Sequence, residues 1–279
     1  MECFKKSRMK FLFLIMFIFP LAVSARSFGE TRNLSLLSEG ISEMDIDCGA
    51  GFLKLRGVES LDEIKVKAEI TAGNKKGEKL KEFIDENVDL SLEKQGSRAV
   101  LISRFDHSIF RVSGDYQIDL TVEIPMVLNI TIKDGSGNLE VKNINGDLKI
   151  TDGSGSIEIA NVNGRVKIND GSGDLEAKKI SGNTEIRDGS GNIEIEDLTG
   201  NLVVTDGSGY TKLDKIRGDL DIRDGSGSLT TTDIDGNVKI HDGSGSINID
   251  GVSKDVDIPE AGSGGVHLKN IKGKVNGDF

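Results

Sequence analysis

"DGSGNLEVKNINGDLKIT", residues 134–151, decides the fold, because the chain then repeats nearly the same eighteen residues. Asp-Gly-Ser-Gly begins at Asp134, Asp152, Asp170, Asp188, Asp206, Asp224 and Asp242, and a worn copy, "AGSG", begins at Ala261. A fixed period of this kind means that each unit buries its apolar surface against its neighbours, so it is read before any single element. Each eighteen splits into two nines, "DGSGNLEVK" and "NINGDLKIT", with Gly at the fourth place and apolar residues at the sixth and eighth.

Apolar residues two apart with polar neighbours mark a half-buried strand. In the first nine these places read Leu139, Ile157, Leu175, Ile193 and Val141, Ile159, Ala177, Ile195 in successive copies. In the second they begin Leu148, Val166, Thr184, Leu202 and Ile150, Ile168, Ile186, Val204. A third apolar column, Ile144, Val162, Ile180, Leu198, falls in a corner. One strand pair cannot bury this surface, but stacked coils can, and they satisfy the backbone hydrogen bonds as well. The spacing predicts an all-β, single-stranded β-solenoid of stacked 18-residue coils. Eight coils would rise roughly 35–40 Å at about 4.8 Å per strand. Helices are excluded because Gly and β-branched residues fill every turn. No Pro occurs between Pro125 and Pro259, where every N–H is needed for stacking.

The flanks are less regular. Lys5, Lys6, Arg8 and Lys10 precede a short apolar run, "FLFLIMFIFPLA" (11–22), and small residues Val23 and Ala25. This predicts a signal peptide over 1–25, cleaved before Arg26; the run is shorter than the span of about 20 residues that would favour an uncleaved anchor. The protein is therefore expected outside the cytoplasm, in the periplasm, at the outer membrane or beyond. Residues 26–43 read as a tether and 44–279 as one solenoid domain, with regular coils over 134–259 and a C-terminal cap over 260–279. "CGAGFLKLRGVESLDEIKVKA" (48–68) reads as a looser coil, and Leu, Phe and Ile spacing predicts a short helix from Glu78 to Glu86.

The chain carries a net charge of −11. Loss of the first 25 residues removes four Lys/Arg and one Glu, leaving −14. Strong acidity and the absence of Trp set nucleic acid aside as a partner. Only Cys48 remains beyond Cys3, so no internal disulfide can form in the mature chain; it is expected to be a small buried residue.

An export signal, a lone Gly-x-Gly coil, strands ending in "IP" as in "DLTVEIPMVLNITIKDGSG", and then Gly-rich β-coils resemble the bacterial putative-adhesin family of β-strand-repeat proteins. The resemblance covers about residues 44–279. It implies the solenoid fold and an envelope location, without a defined activity.

Three functional readings compete. A calcium-binding β-roll would need Asp at the sixth place of each nine, where this chain has Leu139, Ile157, Leu175 or Ile193. Ca²⁺ takes six to eight oxygens, so the seven corner aspartates are read instead as structural turn acceptors, with no metal or other cofactor. Stacked carboxylates would repel by roughly 3–4 kcal/mol per neighbour pair at an effective dielectric near 20, and by about 1 if solvated. Turn hydrogen bonds offset that cost, so Asp188→Asn is expected to be nearly neutral. A carbohydrate-cleaving β-helix would need long loops walling a cleft and carboxylates in distinct environments; the repeats offer neither, and His107, His241 and His267 lie in unrelated segments. The remaining reading is a non-enzymatic envelope scaffold presenting a rigid acidic face to a protein or glycan, able to self-associate by stacking. Its best candidate contacts are Tyr210 and Lys212, where the repeat breaks and Thr211 replaces a core aliphatic.

Overall fold

The computed structural model describes residues 29–106, 116–277 and 279. The expected signal peptide and His107 lie outside the described residues.

The N-terminal part contains β1 (Glu30–Leu37), β2 (Glu43–Ala50), β3 (Leu53–Val58) and β4 (Glu63–Ala72). Helix α1 (Glu78–Asn87) follows, then β5 (Val88–Gln95), β6 (Arg98–Phe105) and β7 (Tyr116–Pro125). The regular coils open with β8 (Asn129–Ser136) and β9 (Leu139–Ile144), then β10 (Leu148–Asp152) and β11 (Ile157–Asn163). They continue as β12 (Val166–Asp170) and β13 (Leu175–Ser181), then β14 (Thr184–Asp188) and β15 (Ile193–Thr199). Next come β16 (Leu202–Asp206), β17 (Gly209–Arg217), β18 (Leu220–Asp224) and β19 (Gly227–Ile234). The last are β20 (Val238–Asp242), β21 (Gly245–Val252), β22 (Val256–Glu260), β23 (Val266–Ile271) and β24 (Val275–Asn276).

From β8 onward, even strands stack in one sheet and odd strands in the other, each coil giving one strand to each. We call the odd-strand sheet A and the even-strand sheet B. The register is 18: Leu148 pairs Val166, which pairs Thr184, and Ile157 pairs Leu175, which pairs Ile193. This is the expected β-solenoid. The predicted apolar columns form its interior, with Ile150, Ile168, Ile195, Leu213 and Ile240 fully buried. The corner residues Asn143, Asn161, Lys179, Asp197, Lys215 and Asp233 take a left-handed conformation, which turns the chain sharply enough to bring the third column inward. At a further corner, side chains reach one coil onward: Asn129 Oδ1 accepts from Asp147 N–H, and Asn201 Oδ1 from Asp219 N–H.

The N-terminal end departs from the sequence reading in two respects. Residues 30–37, expected within a tether, form β1, which pairs antiparallel with β4 from Glu30↔Ile70 to Leu37↔Glu63. Leu34 and Leu36 alternate with polar residues and pack against the core; the alternation specifies a strand even though the segment is short. The early coil is also not first in the stack. Strands β2 and β3 lie between the β6–β7 coil and the β8–β9 coil, parallel to both neighbours in each sheet. Antiparallel β1, β4 and β5 close that end. Helix α1 falls where predicted and buries Leu80 and Ile84, while Phe83 stacks on Tyr116 with centroids 5.6 Å apart.

At the other end, β23 and β24 continue the parallel stack. The extra residue before Val266 appears as a register shift between Lys239 and His241 and a partner offset of 19 at Ile247↔Val266.

Because neighbouring coils present equivalent faces, deletion of residues 170–187 is expected to leave a cooperatively folded protein. Its melting temperature should lie within a few degrees of the parent. A molten product by circular dichroism would overturn the one-coil assignment.

Candidate functional site

The seven corner aspartates are not on the surface. Each lies at or near the end of an even-numbered strand, two residues beyond an inward-facing aliphatic: Leu148, Ile150 and Asp152 alternate inward as one series. Asp134, Asp152, Asp170, Asp188, Asp206, Asp224 and Asp242 are all buried, from 9% exposed at Asp134 to 1% at Asp242. Register places each beside the next, Asp134↔Asp152↔Asp170 and onward to Asp224↔Asp242. The column continues upstream through Cys48 and Ser103, which face Asp134 and Cys48 respectively.

Half of the turn-acceptor reading describes the geometry. Oδ1 of Asp152, Asp170, Asp188, Asp206, Asp224 and Asp242 accepts from the N–H of the Ser two residues on, at 3.0–3.3 Å. The other oxygen is the unexpected part. Oδ2 of Asp134, Asp152, Asp170, Asp188, Asp224 and Asp242 is buried without a hydrogen-bond partner. At Asp206 it accepts from Thr211 Oγ at 3.3 Å. The break at Thr211 therefore supplies a donor to the column, and a Thr five residues after a corner Asp was the signal for it. Burial, reinforced by neighbouring carboxylates, pushes Asp170, Asp188 and Asp224 up to about 6. Burial does the same at Asp134, to about 6, against the opposing Cys48 hydrogen bond. Asp152, Asp206 and Asp242 are raised for the same primary reason. Burial, then Asp134, push the Cys48 thiol upward, so it stays protonated; its Sγ lies 3.4 Å from Asp134 Oδ1.

Burial of the column raises its affinity for protons. One oxygen of each carboxylate is held by its own turn, and among the described residues no group of three His, Cys, Asp or Glu is placed to hold a metal. Thermal unfolding in excess chelator is expected to match that in millimolar calcium within a few degrees. A calcium-dependent rise of about 10 °C or more would show binding linked to folding and would sink this reading.

The outward faces carry polar and charged columns. On sheet A, Glu140, Glu158, Glu176 and Glu194 form the expected column, extended by Lys212. Its cations are paired: Lys142 lies 2.8 and 2.7 Å from Glu140 and Glu158, and Lys178 bonds Glu176. Lys212 reaches Glu194 at 2.6 Å, so it neutralises the column rather than standing free. Tyr210 is 38% exposed beside it, its N–H donating to Asn192 Oδ1. His241 lies on sheet B and His267 on sheet A. A cavity of about 370 Å³ beside α1 is lined by Glu86, Asn87, Asp89, Arg104, Phe105 and Asp106. Arg104 there is already engaged by Asp47 and Asp89. No helix among the described residues is long and apolar enough to cross a membrane.

Parallel coils in continuous 18-residue register, closed at one end by antiparallel strands, define a two-faced β-solenoid. Within that class the chain belongs to the Toastrack DUF4097 family, whose model matches residues 54–250. Among solved structures it is similar to a "putative cell adhesion protein" from Clostridium sporogenes, at 15% identity and TM-score 0.34, covering 86% of this chain and 99% of that one. It is also similar to a "putative adhesin" from Bacteroides fragilis, at 14% identity and TM-score 0.33, covering 89% and 97%. A third is a "putative lipid binding protein" from Parabacteroides distasonis, at 12% identity and TM-score 0.29, covering 89% and 96%. No curated protein matches the chain.

Proposed function

We propose that the protein is an exported envelope or surface scaffold that acts by binding, in the manner of an adhesin, and not by catalysis. The observation that carries this reading is the continuity of the stack: from β8 to β22 the described coils repeat the same two outer faces, joined by short corners with no long loop to wall a reaction cleft. Repetition of one outward pattern multiplies weak contacts along a surface, whereas catalysis needs one coil to differ. The residues over 1–25 support export, and the ligand is a protein or glycan of the envelope.

In the producing cell, the mature protein is expected to begin at Arg26 and to fractionate outside the cytoplasm. Purified protein should co-sediment with isolated envelope fragments. Intact Met1 in the cytoplasmic fraction, or no retention on envelopes, would refute the proposal.

A further inference from the structure

We propose that the outer face of sheet B is a docking surface for a linear acidic polysaccharide. The inference rests on the scaffold reading above and assigns that scaffold a face and a ligand class.

Over the seven coils from β8 to β20, charge is segregated between the two faces of this acidic chain; beyond them the sheet B columns meet Asp45 and Asp47 on β2 and Asp257 and Glu260 on β22. Two outward columns run along sheet B from β8 to β20. One reads Thr131, Lys149, Lys167, Glu185, Val203, Asp221, Lys239; the other reads Lys133, Thr151, Asn169, Arg187, Thr205, Arg223, His241. They hold six Lys or Arg against two carboxylates, and the second column holds no carboxylate. On sheet A, from β9 to β21, the corresponding columns hold seven carboxylates, Glu140, Glu158, Glu176, Glu194, Glu196, Asp214 and Asp250, against Lys142, Lys178 and Lys212.

Pairing differs as well. The three sheet A lysines are all ion-paired. On sheet B, Lys167 and Arg187 share Glu185, and Arg223 lies near Asp221. Lys133, Lys149 and Lys239 are exposed, with no carboxylate within 4 Å among the described residues.

The cations are ordered along the stack. Strands β8, β10, β12, β14, β18 and β20 each contribute one, and only β16 contributes none. Coils rise about 4.8 Å each, so the charges, shared between two adjacent columns, advance along the stack at a repeat close to that of one sugar in an extended 1,4-linked chain. A uronate polymer carries its carboxylates at that repeat. Thr131, Thr151, Asn169 and Thr205 fill the remaining outward places and can bond sugar hydroxyls.

The same face argues against other polyanions. Single-stranded nucleic acid is held by aromatic stacking as well as charge, and no Phe, Tyr or Trp stands in either column. Surface-bound membrane proteins bury apolar or aromatic anchors, and only the half-buried Val203 is apolar here.

The test uses the mature protein and polygalacturonate, with neutral dextran, poly(dT) and phosphatidylglycerol vesicles alongside. Polygalacturonate is expected to bind, more weakly as salt rises, and dextran is not. The triple variant Lys133→Gln, Lys149→Gln, Lys239→Gln should weaken binding at least tenfold, while Lys178→Gln with Lys212→Gln on sheet A should change it less than twofold. If the triple variant misfolds, Lys149→Gln alone should weaken binding measurably. Unchanged affinity in the folded triple variant would overturn the inference, as would equal or tighter binding of poly(dT) or vesicles. Absence of polygalacturonate binding by the parent, with envelope co-sedimentation intact, would remove this assignment and leave the scaffold reading standing. Loss of both would remove the scaffold reading as well.

Discussion

Unfolding of this protein is expected to be hardest near pH 4.5 and to become easier as pH rises through 6. The cause is the buried aspartate column. Asp134, Asp170, Asp188 and Asp224 are raised to about 6, so between the ordinary value of 3.8 and about 6 the folded chain binds more protons than the unfolded one. Stability then falls as pH rises. The contribution is fully present below the unfolded value and is lost as pH passes through the folded value. Each extra bound proton contributes about 1.4 kcal/mol per pH unit. The column as a whole should weaken the fold by on the order of 5 kcal/mol between pH 4.5 and 7.5. Outward-facing carboxylates set the acid limit: Glu140, Asp147, Glu185 and Asp219 are lowered, chiefly by hydrogen bonds, and their contribution disappears as pH falls through their depressed values. Denaturant midpoints across this range decide the matter; a flat profile, or one rising to neutral pH, would contradict the column.

Asp188→Asn gives the same argument a local form. Its Oδ1 would still accept from Ser190 N–H, and its NH₂ would replace a buried carboxylate oxygen that has no partner. The expectation from sequence, near neutrality, is therefore revised. The substitution should stabilise by about 1–3 kcal/mol at pH 7.5 and change little at pH 4.5. Equal effects at both values would show that ionisation of the buried column is not the reason.

The second large effect belongs to Gly191. Its φ is +144°, and a Cβ placed there would lie 1.7 Å from the carbonyl oxygen of Gly173 in the preceding coil. Backbone cannot retreat without breaking the ladder, since Gly173 N–H donates to Ser190 and Gly191 N–H to Ser208. Gly191→Ala is expected to destabilise by about 4 kcal/mol or more. Gly265→Ala is the control: a Cβ there meets nothing nearer than His267 Nε2 at 3.5 Å, and its midpoint should stay put. If both alanine variants unfold alike, contact between coils is not what the fourth-place glycine provides.

The coil was legible because its signals are local and repeated: period-two apolar pairs, Gly at fixed places, and no Pro between Pro125 and Pro259. The orientation of the aspartates was less so. Leu148, Ile150 and Asp152 continue one alternation, but a charged residue beside Gly reads as a solvent-facing turn unless the alternation is followed to its end. Strand β1 was missed for the opposite reason: Leu34 and Leu36 make too short an alternation to stand out, and the β4 edge that recruits them cannot be seen from within the segment. The sheet B ladder was hidden because its cations switch between two columns, whereas the glutamates of sheet A stay in one.

The position of β2 and β3 has a kinetic consequence. They are the first coil to be synthesised, yet they sit inside the stack, between the β6–β7 coil and the β8–β9 coil. As the polypeptide emerges, one rim of this coil stays bare until β6 and β7 have followed, and the other until β8 and β9 have. Assembly cannot run as a zipper from the N-terminus. The early segment must wait as an open template, long-range closures must precede any local gain, and such closures slow folding. The later repeats, each contacting only the one before, can then add in sequence order once that knot of crossed neighbours has formed.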